Sequence, residues 1–397
     1  MSPFWRLGLL ALGIVLVLGC VRTRVYGDPR AAATVRVATF NASLYEETAG
    51  GLIRRLQGDD AHARRIAAIL QRVRPDIVLI NEFDYDPAGR AADLFQRRYL
   101  EVAQHGGEPL RYGYRFLAPV NTGVPSGLDL DGSGELGRDD RARGEDAWGY
   151  GLHPGQYGML LLSRYPIDAA TARTFQHLRW NTMPGARRPR SPDGRVFHPD
   201  TVWTQLRLSS KSHWDVPVET PLGRLHVLAA HPTPPVFDGP ENRNGARNFD
   251  EIRLWAEYLD GGAKRWLCDD QGRCGGLGAG ARFVIVGDLN ADPHDGEGEP
   301  GAVAQLLAHP RVNPVAPRSR AAAARATQYG LPRRGDPSTH TADFGPRTGT
   351  LRVDYVLPSR ELRVVDHGVF WPAPDEPDAA LAAASDHSLV WVELARE

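Results

Sequence analysis

An excess of positive charge is the first thing this sequence lacks. Its 397 residues hold 47 Lys and Arg against 48 Asp and Glu, a formal net charge of -1. No global field therefore exists to hold a polyanion nonspecifically, and any nucleic-acid contact must rest on local patches. Cysteine is scarce as well, with three in the chain. Two of them, Cys268 and Cys274, sit in a Gly-rich loop with five residues between them. No His or further Cys lies beside that pair, which disfavours zinc and leaves a disulfide-closed hairpin as the expectation, with free thiols as the alternative. No hydrophobic run is long enough to cross a bilayer: the apolar stretch Leu7–Leu18 has about twelve residues where a span needs roughly 20. There is no fixed-period repeat, and no long linker divides the chain into self-sufficient halves.

That short apolar stretch follows Arg6 and ends in Val17-Leu18-Gly19-Cys20, the layout of an export signal. The last four residues resemble the bacterial lipobox, which would make Cys20 the lipidated first residue of the mature protein and place it on the cell envelope. Ordinary secretion and an uncleaved anchor are the alternatives. Residues 1–19 are thus expected to be the signal, 20–33 a tether, and 34–397 one catalytic domain, as a monomer.

Within that domain the coarse pattern alternates strand and helix. Val35 to Phe40 is an apolar strand ending at Asn41. Ile66, Ile69, Leu70 and Val73 recur at helical spacing over about 61–73, and Ile77 to Ile80 is a fully apolar strand that delivers Asn81 and Glu82. Strand, helix, strand suggests an α/β layered fold. Residues 119–156, rich in Gly, Asp and Arg, read as a long loop insertion. Further strands are expected at 157–162, 202–208, 224–230, 283–286, 350–357 and 389–394. A helix is expected at 248–259, with Ile252, Trp255 and Leu259 inward, and irregular chain over 310–346.

Several of these strands end in a carboxylate, amide or imidazole: Asn41, Glu82, His231, Asp288 with Asn290, and Asp386-His387 just before the last strand. A single Asp or His at a strand end is usually a turn former, so the set carries the argument. Buried strands release their polar ends into a common cleft. Carboxylates are hard ligands suited to Mg²⁺ or Mn²⁺, an attacking water needs a base or orienting anion, and transition-state oxygens need donors. Hydrolysis of a phosphate ester requires that combination.

Seven runs in order carry a resemblance to a known family: Ala38-Thr39-Phe40-Asn41, Ile80-Asn81-Glu82, Leu161-Leu162-Ser163-Arg164-Tyr165-Pro166-Ile167, Ala230-His231-Pro232, Gly287-Asp288-Leu289-Asn290, Arg352-Val353-Asp354-Tyr355-Val356-Leu357 and Ser385-Asp386-His387. The chain resembles the endonuclease/exonuclease/phosphatase superfamily, which includes deoxyribonucleases, AP endonucleases, neutral sphingomyelinases and inositol-polyphosphate phosphatases. The resemblance implies an α/β fold, a four-layer α/β sandwich with two mixed β-sheets packed face to face and helices outside. It also implies a metal-dependent phosphoesterase. Glu82 would be the main metal ligand, with Asn41 beside it and Asp386 closing the metal side. Asp288 would orient or deprotonate the water, Asn290 would hold a phosphate oxygen, His387 would sit at the phosphate with Asp354 orienting it, and His231 would be acid to the leaving group. Inositol phosphatases carry a Trp-Cys-Asp-Arg run where this chain has Arg352-Val353-Asp354-Tyr355, which disfavours that branch.

Nucleic acid or a nucleotide is the favoured substrate, a phospholipid or phosphomonoester the enzyme alternative, and a non-catalytic surface binding protein the reading from another class. Lys211, His213 and Arg243, with Trp214 and Arg247 near them, are candidate contacts for a second phosphate or a base. In the insertion, Asp129, Asp131, Ser133, Glu135 and Asp140 match the spacing of an EF-hand calcium loop, with Gly134 at the turn and Asp where Glu usually closes the loop. Ca²⁺ there is the expectation, set against an acidic solvated loop.

Overall fold

The structure, a computed structural model, describes residues 34–396. The expected signal, Cys20 and tether lie outside them. Among the described residues, no helix is long and apolar enough to cross a membrane.

Two sheets form. The strands are β1 (Val35–Leu44), β2 (Ile77–Phe83), β3 (Tyr114–Phe116), β4 (Met159–Ser163), β5 (Arg173–Thr174), β6 (His213–Thr220), β7 (Gly223–Ala230), β8 (Phe283–Asp288), β9 (Asp354–Pro358), β10 (Leu362–Phe370) and β11 (Leu389–Arg396). The first sheet runs β10-β11-β1-β2-β4-β3 and the second β9-β8-β7-β6-β5. Both are mixed, because β1 pairs with β2 and β7 with β8 in parallel while the other neighbours are antiparallel. Each parallel pair is joined by a helical crossover, Ala61–Val73 and Arg243–Leu259 respectively.

Side-chain alternation explains the layers. On β1, Val35 and Val37 pack into the space between the sheets, whereas Ala38, Phe40 and Ala42 pack outward with Ile66, Leu70 and Val73 of the first crossover helix. On β8, Val284 and Val286 face inward, and Phe283 and Ile285 face Ile252, Trp255 and Leu259 of the second. The result is the expected sandwich of two sheets face to face with helices outside. The helix Ala61–Val73 falls on its expected bounds because Asp60 caps it by accepting the Ala63 N–H at 2.6 Å, and Arg74 ends it in the left-handed region.

Three expectations need correction. Residues 202–208 do not form a strand. Asp200–Trp203 is a short helix after Pro199, with the Thr204 hydroxyl donating to Asp200 O at 2.8 Å, and Arg207 makes only an isolated bridge to Arg179. The stretch expected to be irregular contains the helix Arg320–Tyr329, where an alanine run of high propensity is capped by the Ser319 hydroxyl and stopped by left-handed Gly330. Finally, the segment singled out as basic and aromatic opens β6: Trp214 is buried between the sheets, edge-on to Phe116 at 5.2 Å.

Candidate functional site

Alternation also builds the site. The inward rows Val35-Val37-Thr39-Asn41, Ile77-Leu79-Asn81, Val227-Ala229-His231, Val284-Val286-Asp288 and Asp354-Val356 are apolar in the middle and polar at one shared end. Asp288 and Asp354 are direct partners in the β8–β9 ladder, and Asn81 Oδ1 accepts the Asp288 N–H across the sandwich at 3.3 Å. Glu82 breaks the rule. Alternation would send it outward with Val78 and Ile80, but its backbone is left-handed at φ 57, and it lines the central cavity instead. Ser43, Tyr157, Phe237 and Asn290 share both that backbone region and that cavity. With Glu82 they are five of the eight non-glycine residues described at positive φ, so backbone strain concentrates at this site. Gly287 permits a close approach: a Cβ there would collide with Ala230 O of β7, and its absence lets β7 and β8 bring His231 and Asp288 together.

The cavity has a volume of about 920 Å³, and Glu82, Lys211, His231, Asp288, Asn290, Asp386 and His387 all line it. Asp288 is the hub. Its Oδ2 accepts from Asn41 Nδ2 at 3.1 Å and lies 3.4 Å from His231 Nε2 and 3.7 Å from His387 Nε2, while its Oδ1 accepts the Asn290 N–H at 2.9 Å. Asn41 Nδ2 also donates to Glu82 Oε1 at 3.0 Å. His387 Nδ1 lies 2.9 Å from Asp354 Oδ2, which also takes the Thr341 hydroxyl at 2.7 Å. Asn290 Nδ2 donates to Pro232 O at 3.1 Å. Asp386 stands exposed at the cavity wall, without a hydrogen bond to Asn41 or Glu82.

Charges in this cluster are separated by their surroundings. Burial alone would raise Asp288, but His387 and His231 more than offset it and hold the carboxyl well below its usual range. Burial opposes protonation of His387, yet Asp354 and Asp288 raise it well above an ordinary histidine, so His387 carries the proton at neutral pH. Asp354 is itself raised, to about 6, by burial and by Asp288, against the pull of His387. His231 goes the other way, lowered to about 4 by burial and by Lys211. Burial pushes the Glu82 carboxyl up, against the Asn41 hydrogen bond.

The remaining candidates divide. Lys211 is buried at the cavity wall and has no ion pair among the described residues; burial lowers its pKa, and Glu251, Glu82 and Asp288 oppose that. Arg243 also lines the cavity, paired to Glu241. His213 does not reach it: Nδ1 is 2.6 Å from Ser209 Oγ, Nε2 is 2.9 Å from Glu251 O, and the ring packs on Trp255, so it is a core residue. Arg247 lines the cavity but spends its guanidinium on the carbonyls of Leu208, Trp148 and Arg207. Cys268 and Cys274 are joined in a disulfide, closing the expected hairpin.

The five-residue calcium set is not assembled as its spacing suggested. Asp139 caps a helix, Asp140–Glu145, by accepting the Ala142 N–H at 2.9 Å, so the chain turns away before Asp140 can close the loop, and Asp140 pairs with Arg143. Glu135 lies 3.8 Å from Arg138. Ser133 Oγ donates to Glu135 O. Asp129 and Asp131 meet Asp146 instead, their ligating atoms within 4.8 Å of one another. Sequence reasoning missed Asp146 because it lies past the twelve-residue window.

The sequence profile of the Endonuclease/Exonuclease/phosphatase family matches residues 38–387, and the chain belongs to that family. Among solved structures it is similar to an endonuclease/exonuclease/phosphatase from Beutenbergia cavernae DSM 12333, with 18% identity, a TM-score of 0.50, and 91% of this chain and 72% of that one covered. It is also similar to sphingomyelinase C from Streptomyces griseocarneus, at 17% identity and a TM-score of 0.44 over 91% and 99% of the two chains. TDP2 from Caenorhabditis elegans follows at 12% identity and a TM-score of 0.43 over 91% and 74%. No curated protein matches the sequence. At such identities likeness speaks for fold alone. Membership of the family, with its phosphoesterase fold, supports an enzyme that hydrolyses phosphate esters.

Proposed function

We propose that the protein is an exported, divalent-metal-dependent phosphodiesterase that cleaves a nucleic acid or nucleotide ester by in-line attack of water. The carrying observation is the Asp288 carboxylate set between two histidines, facing the Asn41–Glu82 pair across one cavity. The residues present fit a hard cation. Glu82 accepts the Asn41 amide and has no Lys, Arg or His within 4.0 Å among the described residues, and Asp386 adds a second carboxylate to the same wall. Bound there, Mg²⁺ or Mn²⁺ would neutralise phosphate charge and stabilise the leaving oxygen.

The chain's own groups supply the rest. Asp288, held ionised between the two histidines, orients or deprotonates the attacking water. His387, protonated and held by Asp354, donates Nε2–H to a non-bridging phosphate oxygen, and Asn290 donates an amide N–H to another. Lys211 adds an ammonium beside them, which the negative charge of a bound phosphate would keep protonated against its burial. His231 is neutral in these surroundings, and the role of leaving-group acid requires the negative charge of a bound phosphate to restore its proton.

Export is supported by the layout of residues 1–20 and by a disulfide, which persists in oxidising compartments. Cys20→Ser should shift the protein from the membrane fraction to the soluble one. Phe237, 79% exposed at the cavity wall, favours an amphiphilic phospholipid as the second reading. Metal-dependent release from plasmid DNA, bis-p-nitrophenyl phosphate, p-nitrophenyl phosphate and sphingomyelin separates these cases. Turnover of the first two supports the proposal, a preference for sphingomyelin or the monoester replaces it, and silence on all four leaves a binding protein.

A further inference from the structure

We infer that Asn248 and Glu251, a buried pair on the crossover helix Arg243–Leu259, are positioning residues that hold the phosphate-handling half of the site and leave the metal side alone. The inference rests on the function proposed above. Both side chains are fully buried and neither touches the cavity. They occupy the same helix face as Ile252, Trp255 and Leu259, where a pattern reading expects apolar residues.

Their partners explain the polarity. Where strands leave the sheet, backbone N–H and C=O groups lose their ladder partners and need others. Glu251 Oε1 accepts the Ser210 N–H at 2.7 Å, and Oε2 accepts the Thr233 N–H at 2.6 Å. Asn248 Nδ2 donates to Thr233 O at 2.8 Å and to Leu289 O at 2.9 Å. One helical turn therefore ties together three segments that carry Lys211, His231 and Asn290, each within two residues of a clamped peptide group. Asn290 is the strained member at φ 51, and its own amide bonds back to Pro232 of the clamped loop. A carboxylate suits Glu251 because two separate N–H donors converge on it, and both its oxygens must accept. Asn41, Glu82 and Asp386 lie on other segments and make no hydrogen bond to this pair.

The test compares wild type with Glu251→Gln, which replaces one acceptor by a donor, and with Asn248→Leu. With bis-p-nitrophenyl phosphate as substrate, kcat should fall about 10- to 100-fold, as displacement of reacting groups by an ångström costs that much. The Mg²⁺ concentration for half activity should stay within about threefold of wild type. Amide hydrogen exchange at Ser210 and Thr233 should accelerate while distant strands keep their protection. Unchanged kcat per folded molecule, a matching shift in Mg²⁺ requirement, or unchanged exchange at those two amides overturns the inference. Should Asn248→Leu fail to fold, Glu251→Gln decides alone. An inactive wild type would sink the proposed function, while the exchange measurement would still decide whether the clamp exists.

Discussion

Two groups of three ligating residues form among the described residues, and the contrast between them shows what proximity alone leaves undecided. Asp288, Asp354 and His387 bring their ligating atoms within 4.8 Å, as do Asp129, Asp131 and Asp146. In the first group every acid faces an imidazole or an amide side chain, and burial exaggerates each charge, so protons have defined places to rest and to go. In the second, the acids face backbone. Asp129 accepts the N–H groups of Gly132, Ser133 and Gly134, Asp131 that of Ser133, and Asp146 those of Leu130 and Gly137. Such carboxylates shape a loop and concentrate negative charge, the setting for a hard cation, and no imidazole or amide side chain is among their hydrogen-bond partners.

The largest test of this contrast is His387→Ala or Asp288→Ala. Either should lower kcat/KM by about 10³-fold or more with little change in unfolding temperature, because the interactions lost form mainly in the transition state. A variant retaining wild-type turnover would leave the mechanism without that residue. Asp354→Asn should cost less, about 10- to 100-fold, since the imidazole keeps a hydrogen-bond partner but loses the charge that stabilises its protonated form. A shift of the acid or base limb of the pH–rate profile in this variant would separate charge from geometry. On the other side, Asp146→Ala should leave kcat within about threefold of wild type. It should also lower stability by roughly 1–3 kcal/mol by stripping the buried Leu130 N–H of its acceptor, as denaturant melts would register. Smallest of all, calcium added to the wild-type protein should give one calorimetric binding event that the Asp129→Ala, Asp131→Ala double variant lacks. A titration identical in the two proteins would leave the loop purely structural.

Much of this was legible in the sequence because the two-residue strand period acts on both core and site. The same alternation that hides Val284 and Val286 between the sheets delivers Asp288, so apolar runs ending in polar residues pointed to side chains that share one cavity. Glu82 was found by its position in a motif and not by pattern, since its left-handed backbone breaks the alternation that would have sent it outward. His213 was misplaced for a related reason. A histidine beside Lys and Trp looks like a ligand contact until β6 forms and turns its ring onto Trp255. Asn248 and Glu251 were invisible, because the groups they satisfy are peptide bonds from segments 15 to 41 residues away in sequence. Likewise residues 202–208 looked apolar enough for a strand, but Pro199 and Asp200 start a helix that takes in Val202 and Trp203.

The insertion over 119–156 contributes Thr122, Leu130, Arg141, Glu145, Ala147 and Tyr150 to the cavity wall, yet none of the groups proposed to handle phosphate or metal. This part of the wall is therefore encoded by a stretch of chain separate from the proposed reacting groups. A graft that exchanged this one loop for another of similar length could change which molecules are admitted while the reaction they undergo stays the same.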